Sequence, residues 1–349
     1  MPEPLTGARG ATDDPAAEAG AGAGATGLRS PAGSADVAVL EGVWGEPFAR
    51  LSDRLSVRRI SPQPEPDQLP DCLAGTSALV VRNRTQVTRD LLGSLPRLQV
   101  VARAGVGLDN IDVAAADDLG VVVLAALGAN AVSVAEHTLG AALAVARQIA
   151  TLDRHTRDGG WDRRAGRELA GGTWGLLGLG ATGRAVSRLA LALRMHVVAY
   201  DPYVARAEPE VRLASLEETA AAADVLSIHL PATPQTNRLV NSDLLATMRP
   251  EAILVNVGRG EVVDEAALAD ALEAGRLAGA ALDVRATEPP VPGRLERLDN
   301  VLLTPHVAGI TAQSQHRIAT VLADDIARVL SGERARDAVG AVRQAREVS

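Results

Sequence analysis

The sequence contains no lysine, so all 35 basic residues are arginine. Cysteine occurs once, at Cys72, which excludes an intrachain disulfide and a cysteine-rich metal site. Aromatic residues make up 2% of the chain, too few for the stacking platforms that grip nucleic-acid bases. No apolar run approaches the roughly 20 residues needed to cross a bilayer. The N-terminal residues lack the basic-then-apolar order of a secretory signal. A formal net charge of −8 argues against DNA, RNA or anionic lipid as partner. A soluble, cytoplasmic protein without a metal, nucleic-acid or membrane partner is the expectation.

What the chain has instead is a 47% hydrophobic content carried almost wholly by Ala, Val and Leu, enough for two cores of ordinary domain size. Residues 1–34 are Ala, Gly, Pro and small polar residues without periodicity, and are expected to form a disordered extension. From residue 36 short β-type runs alternate with helical ones. Strands are expected at 37–40, 57–60, 78–81, 100–103 and 121–124, then at 174–179, 196–201, 225–230, 253–257, 280–284 and 301–304. Helices are expected at 48–55 and 89–95, and a long one at 133–149. Later helices start near Thr182, Ser215, Asn241 and Asp264, and a last one covers 311–330. Continuous apolar strands separated by helices imply parallel sheets covered on both faces. The fold class is therefore α/β, with two doubly wound parallel-sheet domains and a cleft between them.

The segment 173–203 carries Gly178, Gly180 and Gly183 at the spacing G-x-G-x-x-G, after a strand and at the opening of a helix. Those glycines permit a tight turn, a close approach to a pyrophosphate, and close packing of helix on strand. The pyrophosphate would meet the free N–H groups at the helix start. The next strand ends in Asp201, eighteen residues beyond the third glycine, where a carboxylate can bind both adenosine ribose hydroxyls and repel a 2′-phosphate. NAD is therefore expected, although Arg206 close by leaves NADP open.

Three further segments each follow a strand: VNVGRGEVVDEAAL with Arg259, ALDVRATEPP with Glu288, and LTPHVAG with His306. Reduction of a 2-keto acid needs a carboxylate anchor, a polarised ketone and a proton for the new alkoxide. An arginine is always charged and bidentate toward planar anions. A histidine titrates nearest neutral pH and can carry the proton. Glu288 would orient the ring from its other nitrogen. Taken singly, each has an ordinary structural explanation.

At these residues the chain resembles the D-isomer-specific 2-hydroxyacid dehydrogenases, its phosphoglycerate-oxidising members most. The similarity runs over residues 78–311 and takes in VVRNRTQVT, VVARAGVGLDNID, NAVSVAEHTLG, GLLGLGATGR, VNVGRGEVVDEAAL, AGAALDV and EPP…TPH in family order. The resemblance implies a flavodoxin-like substrate domain at 35–131, completed by 307–335, and a Rossmann domain at 132–306. It assigns Arg259, Glu288 and His306 to catalysis. It places Ala181 and Thr182 at the pyrophosphate, although the family usually has Ile at the latter position. Leu230 and Pro231 would border the adenosine and Asp283 the nicotinamide carboxamide, with Val257, Gly258 and Gly309 also on the cofactor. Val106 and Gly107 would hold the substrate carboxylate, and Arg82, with Arg84 nearby, a substrate phosphate. Asn130, Ser133 and Glu136 fall at the start of a long interdomain helix that helps to form a homodimer.

The implied reaction is reversible hydride transfer between NAD and a small anionic D-2-hydroxy acid, with 3-phosphoglycerate one candidate. Hydroxypyruvate or glyoxylate reduction, or an NAD-sensing corepressor-like role, are the alternatives. Two departures stand out: Arg285 occupies a position where the family often has an aromatic, and neither a regulatory serine-binding tail nor control by serine is expected. His137, His155, His196, His229 and His316 match no catalytic position and are read as structural.

Overall fold

The computed structural model describes residues 36–346. The expected extension at 1–34 lies outside the described residues.

The first five strands are β1 (Val37–Val39), β2 (Val57–Arg59), β3 (Ala78–Val81), β4 (Val100–Arg103) and β5 (Val122–Ala125). They run parallel in the order β2-β1-β3-β4-β5, the flavodoxin-like arrangement. Successive residues alternate between two buried layers. Val37, Val39 and Val80 face Phe48, Ile318, Leu322 and Ile326, while Ala38, Leu79 and Val81 face Leu69, Leu91 and Leu92. The terminal helix Ala312–Leu330 therefore covers the first sheet.

The next seven are β6 (Thr173–Leu177), β7 (His196–Tyr200), β8 (Val211–Leu213), β9 (Val225–Ile228), β10 (Ile253–Asn256), β11 (Gly279–Leu282) and β12 (Val301–Leu303). They form one parallel sheet in the order β12-β11-β10-β9-β6-β7-β8. Strand order reverses between β6 and β9, the switch point at which such sheets bind ligands. Trp174 and Leu176 point to one face, packed on Ala142, Val186 and Ala190. Leu177, Leu226 and Leu254 point to the other, packed on Leu244, Leu268 and Leu272. Helix starts agree closely with the sequence because their caps are written there. Ser215, Asn241, Asp264 and Thr311 each accept backbone N–H bonds as N-caps.

Several elements differ from expectation, among them the first helix, which spans Glu46–Leu51 rather than 48–55, and the short helices Leu69–Cys72 and Val113–Asp118, which were not expected from the sequence. The long helix begins at Ala131 and ends at Ala146, and a second helix, Ile149–Arg157, leaves at a new angle because Gln148 adopts a left-handed conformation (φ 53°). The three-residue β8 is an addition to the edge of the second sheet. The first sheet is not wholly parallel: β13 (Ala338–Val339) adds antiparallel to β5.

That returning strand is held by Asp325, 2% exposed on the terminal helix. Its carboxylate accepts the N–H groups of Arg336 (2.9 Å) and Asp337 (2.7 Å). Removing it leaves those donors without their partner inside the fold. Asp325→Ala is expected to lower unfolding free energy by about 1–3 kcal/mol, read as a lower urea midpoint at unchanged slope. An unchanged midpoint would mean that the segment is held by its apolar contacts alone.

Candidate active site

The glycine-rich turn follows β6. Gly178 takes φ +98°, which a side chain rarely adopts. A Cβ on Gly183 would lie 2.1 Å from the Gly178 carbonyl oxygen, so only glycine allows the helix Ala181–Ala192 to start this close to the strand. Gly180 caps that helix without a side-chain hydrogen bond, so its first-turn N–H groups and positive end face outward. Asp201, at the end of β7, accepts the Leu179 N–H (2.8 Å) through one oxygen and the Tyr203 N–H (2.9 Å) through the other. It is thereby locked beside the glycine turn. Leu230 is buried after β9 and Pro231 is exposed beside it. A Cβ on Gly258 would meet the Leu230 carbonyl oxygen at 2.8 Å, so the ends of β9 and β10 pack backbone to backbone. Bare helix N-terminus, tight glycine turn and fixed carboxylate fit a dinucleotide.

Arg259 sits just beyond β10. Asn256, 1% exposed, sets its turn: the side-chain amide donates to the Arg259 carbonyl (3.0 Å) and its oxygen accepts the Gly258 N–H (3.1 Å). The guanidinium donates to the Gly258 carbonyl (2.9 Å) and to Asp109 (3.1 Å) on the loop after β4. A Cβ on Gly107 would lie 2.2 Å from Arg259 Nη2, so the two segments meet directly. Val106 is part-exposed in the same loop.

His306 follows β12. Its Nδ1 is 2.7 Å from Glu288 Oε2, and both side chains are solvent-accessible, at 49% and 38%. With Nδ1–H donating to the carboxylate, Nε2 is left for a reacting group. His306 itself has φ +54°, a strained value for a histidine. Asp283 explains how it is held. This residue is 3% exposed. Its carboxylate accepts from Thr304 Oγ1 (2.6 Å), Val307 N (2.9 Å) and Ala308 N (2.9 Å), and its carbonyl accepts the His306 N–H (2.7 Å). Asp283 thus anchors the histidine loop, with His137 Nε2 3.2 Å from Thr304 Oγ1 behind it. Gly309 ends the loop against Asn130, whose amide would meet a Cβ there at 2.5 Å.

On the first sheet, Arg82 opens a loop organised by Glu41. One carboxylate accepts four successive N–H groups, from Arg82, Asn83, Arg84 and Thr85, at 2.8–3.1 Å. Burial works against its ionisation, but those N–H bonds outweigh it and hold the pKa below the usual value. Arg103 carries no separate sequence signal beyond its place in the RAGVGLDN run. It is largely shielded, folds over Gly105, and has a buried Nε with no partner among the described residues. Burial, then the like charge of Arg259 and Arg82, lowers its pKa. Arg103 therefore lies within charge range of Arg259 and Arg82, with Asp109 and Glu41 acting in the opposite sense. Among the described residues no group of His, Cys, Asp or Glu could hold a metal ion. No described helix is long and apolar enough to cross a membrane.

Gly183→Ala is expected to weaken NADH binding at least about tenfold, measured by quenching of protein fluorescence, with the far-UV spectrum preserved. Unchanged binding would place the cofactor elsewhere.

Comparison with known proteins agrees with this geometry. Residues 139–308 match the family model described as D-isomer specific 2-hydroxyacid dehydrogenase, NAD binding domain. The D-3-phosphoglycerate dehydrogenase of Mycobacterium tuberculosis (strain H37Rv) is 43% identical over 296 residues, which is 83% of this chain and 56% of that protein. This chain thus spans little more than half of that relative's length. The hydroxypyruvate reductase of Thermotoga maritima is 39% identical over 271 residues, covering 76% of this chain and 89% of that protein. A solved protein of Thermus thermophilus superposes with a TM-score of 0.81 at 35% identity, over 87% of this chain and 99% of that one. On this similarity the chain belongs to the D-isomer-specific 2-hydroxyacid dehydrogenase family.

Proposed function

We propose that the chain interconverts a small anionic D-2-hydroxy acid and its 2-keto acid with NAD as hydride partner. The observation that carries this reading is the His306–Glu288 hydrogen bond, with the Arg259 turn packed on the backbone of Arg285, whose N–H also binds Glu288. Arg259 binds the substrate carboxylate and draws electron density from the keto oxygen, while the 106–107 backbone meets the carboxylate from the facing loop. His306 holds a proton at Nε2 and gives it to the developing alkoxide. In oxidation it takes that proton back. Glu288 fixes the ring through its hydrogen bond to Nδ1. When bound, nicotinamide supplies or accepts the hydride. Gly178, Gly180, Ala181, Thr182 and Gly183 would hold its pyrophosphate, Asp201 its adenosine ribose, and Leu230, Pro231, Val257, Gly258 and Gly309 the remaining dinucleotide. Asp201 favours NAD over NADP through charge repulsion.

The substrate proposed is the 3-phosphoglycerate pair, because Arg82 and Arg103 add positive charge beyond the one carboxylate that Arg259 can satisfy. The hydroxypyruvate and glyoxylate pairs use the same triad and are the second reading. The domain division follows the two sheets, with the terminal helix and β13 returning to the first. A cytoplasmic homodimer completes the proposal. The helix Ile149–Arg157 buries no residue, and Leu127, Val132, Ile149 and Trp161 are exposed, Trp161 at 83%.

The test is initial-rate NADH oxidation with 3-phosphohydroxypyruvate, hydroxypyruvate, glyoxylate and pyruvate, for wild type and His306→Ala. The variant should lose about 10²–10⁴-fold in kcat with NADH affinity preserved. Preference for the phosphorylated acid supports the proposed substrate, and preference for the others moves the assignment to the reductases. Absence of turnover on every acid would contradict the enzyme and leave an NAD-sensing role.

A further inference from the structure

Arg285 stands next to the active-site segments yet is used by none of the steps above. Its side chain is only 10% exposed and reaches two carboxylates. Nε and Nη2 clasp Glu265 in a bidentate pair at 3.0 and 2.8 Å, and Nη1 donates to Glu296. Glu265 also accepts the Ala286 N–H at 2.8 Å, and Glu296 accepts the Gly293 N–H at 2.7 Å. The peptide at 285–286 is therefore held from the side chain and from the backbone at once.

That peptide touches both halves of the site. The Arg285 N–H donates to Glu288 Oε1 at 3.0 Å, while Glu288 Oε2 meets His306 Nδ1 at 2.7 Å. A carboxylate with both oxygens engaged cannot rotate, and Glu288 is otherwise exposed enough to swing into water. On the other side, a Cβ on Gly260 would lie 1.9 Å from the Arg285 carbonyl carbon, so the turn carrying Arg259 rests directly on this peptide. Glu265 opens the helix that leaves the same turn.

We propose that Arg285 is a positioning residue that seats Glu288, and through it His306. The inference rests on the proposed reaction for its kinetic reading but not for its structural one. The effect is specific to an arginine here. Bidentate geometry fixes the direction as well as the distance of the anchor, which lysine cannot reproduce. Both carboxylates respond to it. The Arg285 hydrogen bond holds Glu296 down at about 2. At Glu265 burial is outweighed by Arg285 and the Ala286 N–H, so its pKa is lowered as well.

The experiment compares wild type, Arg285→Met and Arg285→Lys, with Glu265→Gln/Arg285→Met/Glu296→Gln as the variant without unpaired carboxylates in case the single change does not fold. The expected result is a fall in kcat of about 10–100-fold, the scale of an ångström of misplacement, with NADH Kd unchanged. In a Glu288→Gln background Arg285→Met should cost nothing further, and its pH profile should match that of Glu288→Gln alone. Independent additive losses would overturn the proposal. Nitrogen-15 spectra of the His306 ring give a second readout that needs no substrate. Wild type should hold the Nδ1–H tautomer and Arg285→Met should average both, whereas identical spectra would overturn the positioning role. Absence of wild-type turnover would fail the reaction, and the tautomer comparison would still decide this proposal.

Discussion

The carboxylate of Asp283 is the contact on which the proposed catalytic arrangement hangs. A carboxylate taken out of water is costly unless its lone pairs are filled, and here three donors from one loop fill them. The same loop carries His306 in a backbone conformation it would not choose alone. The strain is held because Thr304, Val307 and Ala308 have no equivalent partner if the loop relaxes. His306 is thus fixed in space before Glu288 orients its ring. The sheet order brings this loop, the Arg259 turn and the glycine turn to the carboxyl ends of parallel strands.

Charge distribution follows the same logic. In a chain with net charge −8, Arg103 lies within charge range of both Arg259 and Arg82. Of the acidic groups nearby, Asp109 pairs with Arg259, Glu41 is committed to four backbone N–H groups, and Glu288 to His306 and Arg285. Local positive charge is therefore gathered against the overall sign, and the proposed anionic substrate would relieve it. Arg285 belongs to a different class of arginine. Its charge is committed to Glu265 and Glu296, and its contribution is rigidity.

Much of this was legible in the sequence, for local reasons. The glycine spacing, the Asp at the next strand end and the capping residues are patterns within a few residues of one another. Arg259, Glu288 and His306 were legible because each follows an apolar strand. Strand β8 was not, since three residues with one buried face carry almost no periodic signal. The two-residue β13 depends on Asp325 and β5, far away in the chain. The break at Gln148 left no glycine or proline to mark it. Asn256 and Arg285 could not be given their roles, because each role is set by partners that only the folded chain brings together. For Asp283, buried hydrogen bonding to the histidine loop adds a structural task to the cofactor contact that the resemblance implied.

Recognition of the substrate carboxylate by Arg259 is the step on which the proposed chemistry stands most directly. Steady-state reduction of the preferred 2-keto acid by Arg259→Gln, with NADH binding measured alongside, tests it in one comparison. The expected result is a loss in kcat/KM of about 100-fold or more, the scale of a charge-assisted contact in a shielded site, with NADH affinity unchanged. Wild-type kcat/KM in that variant would contradict it.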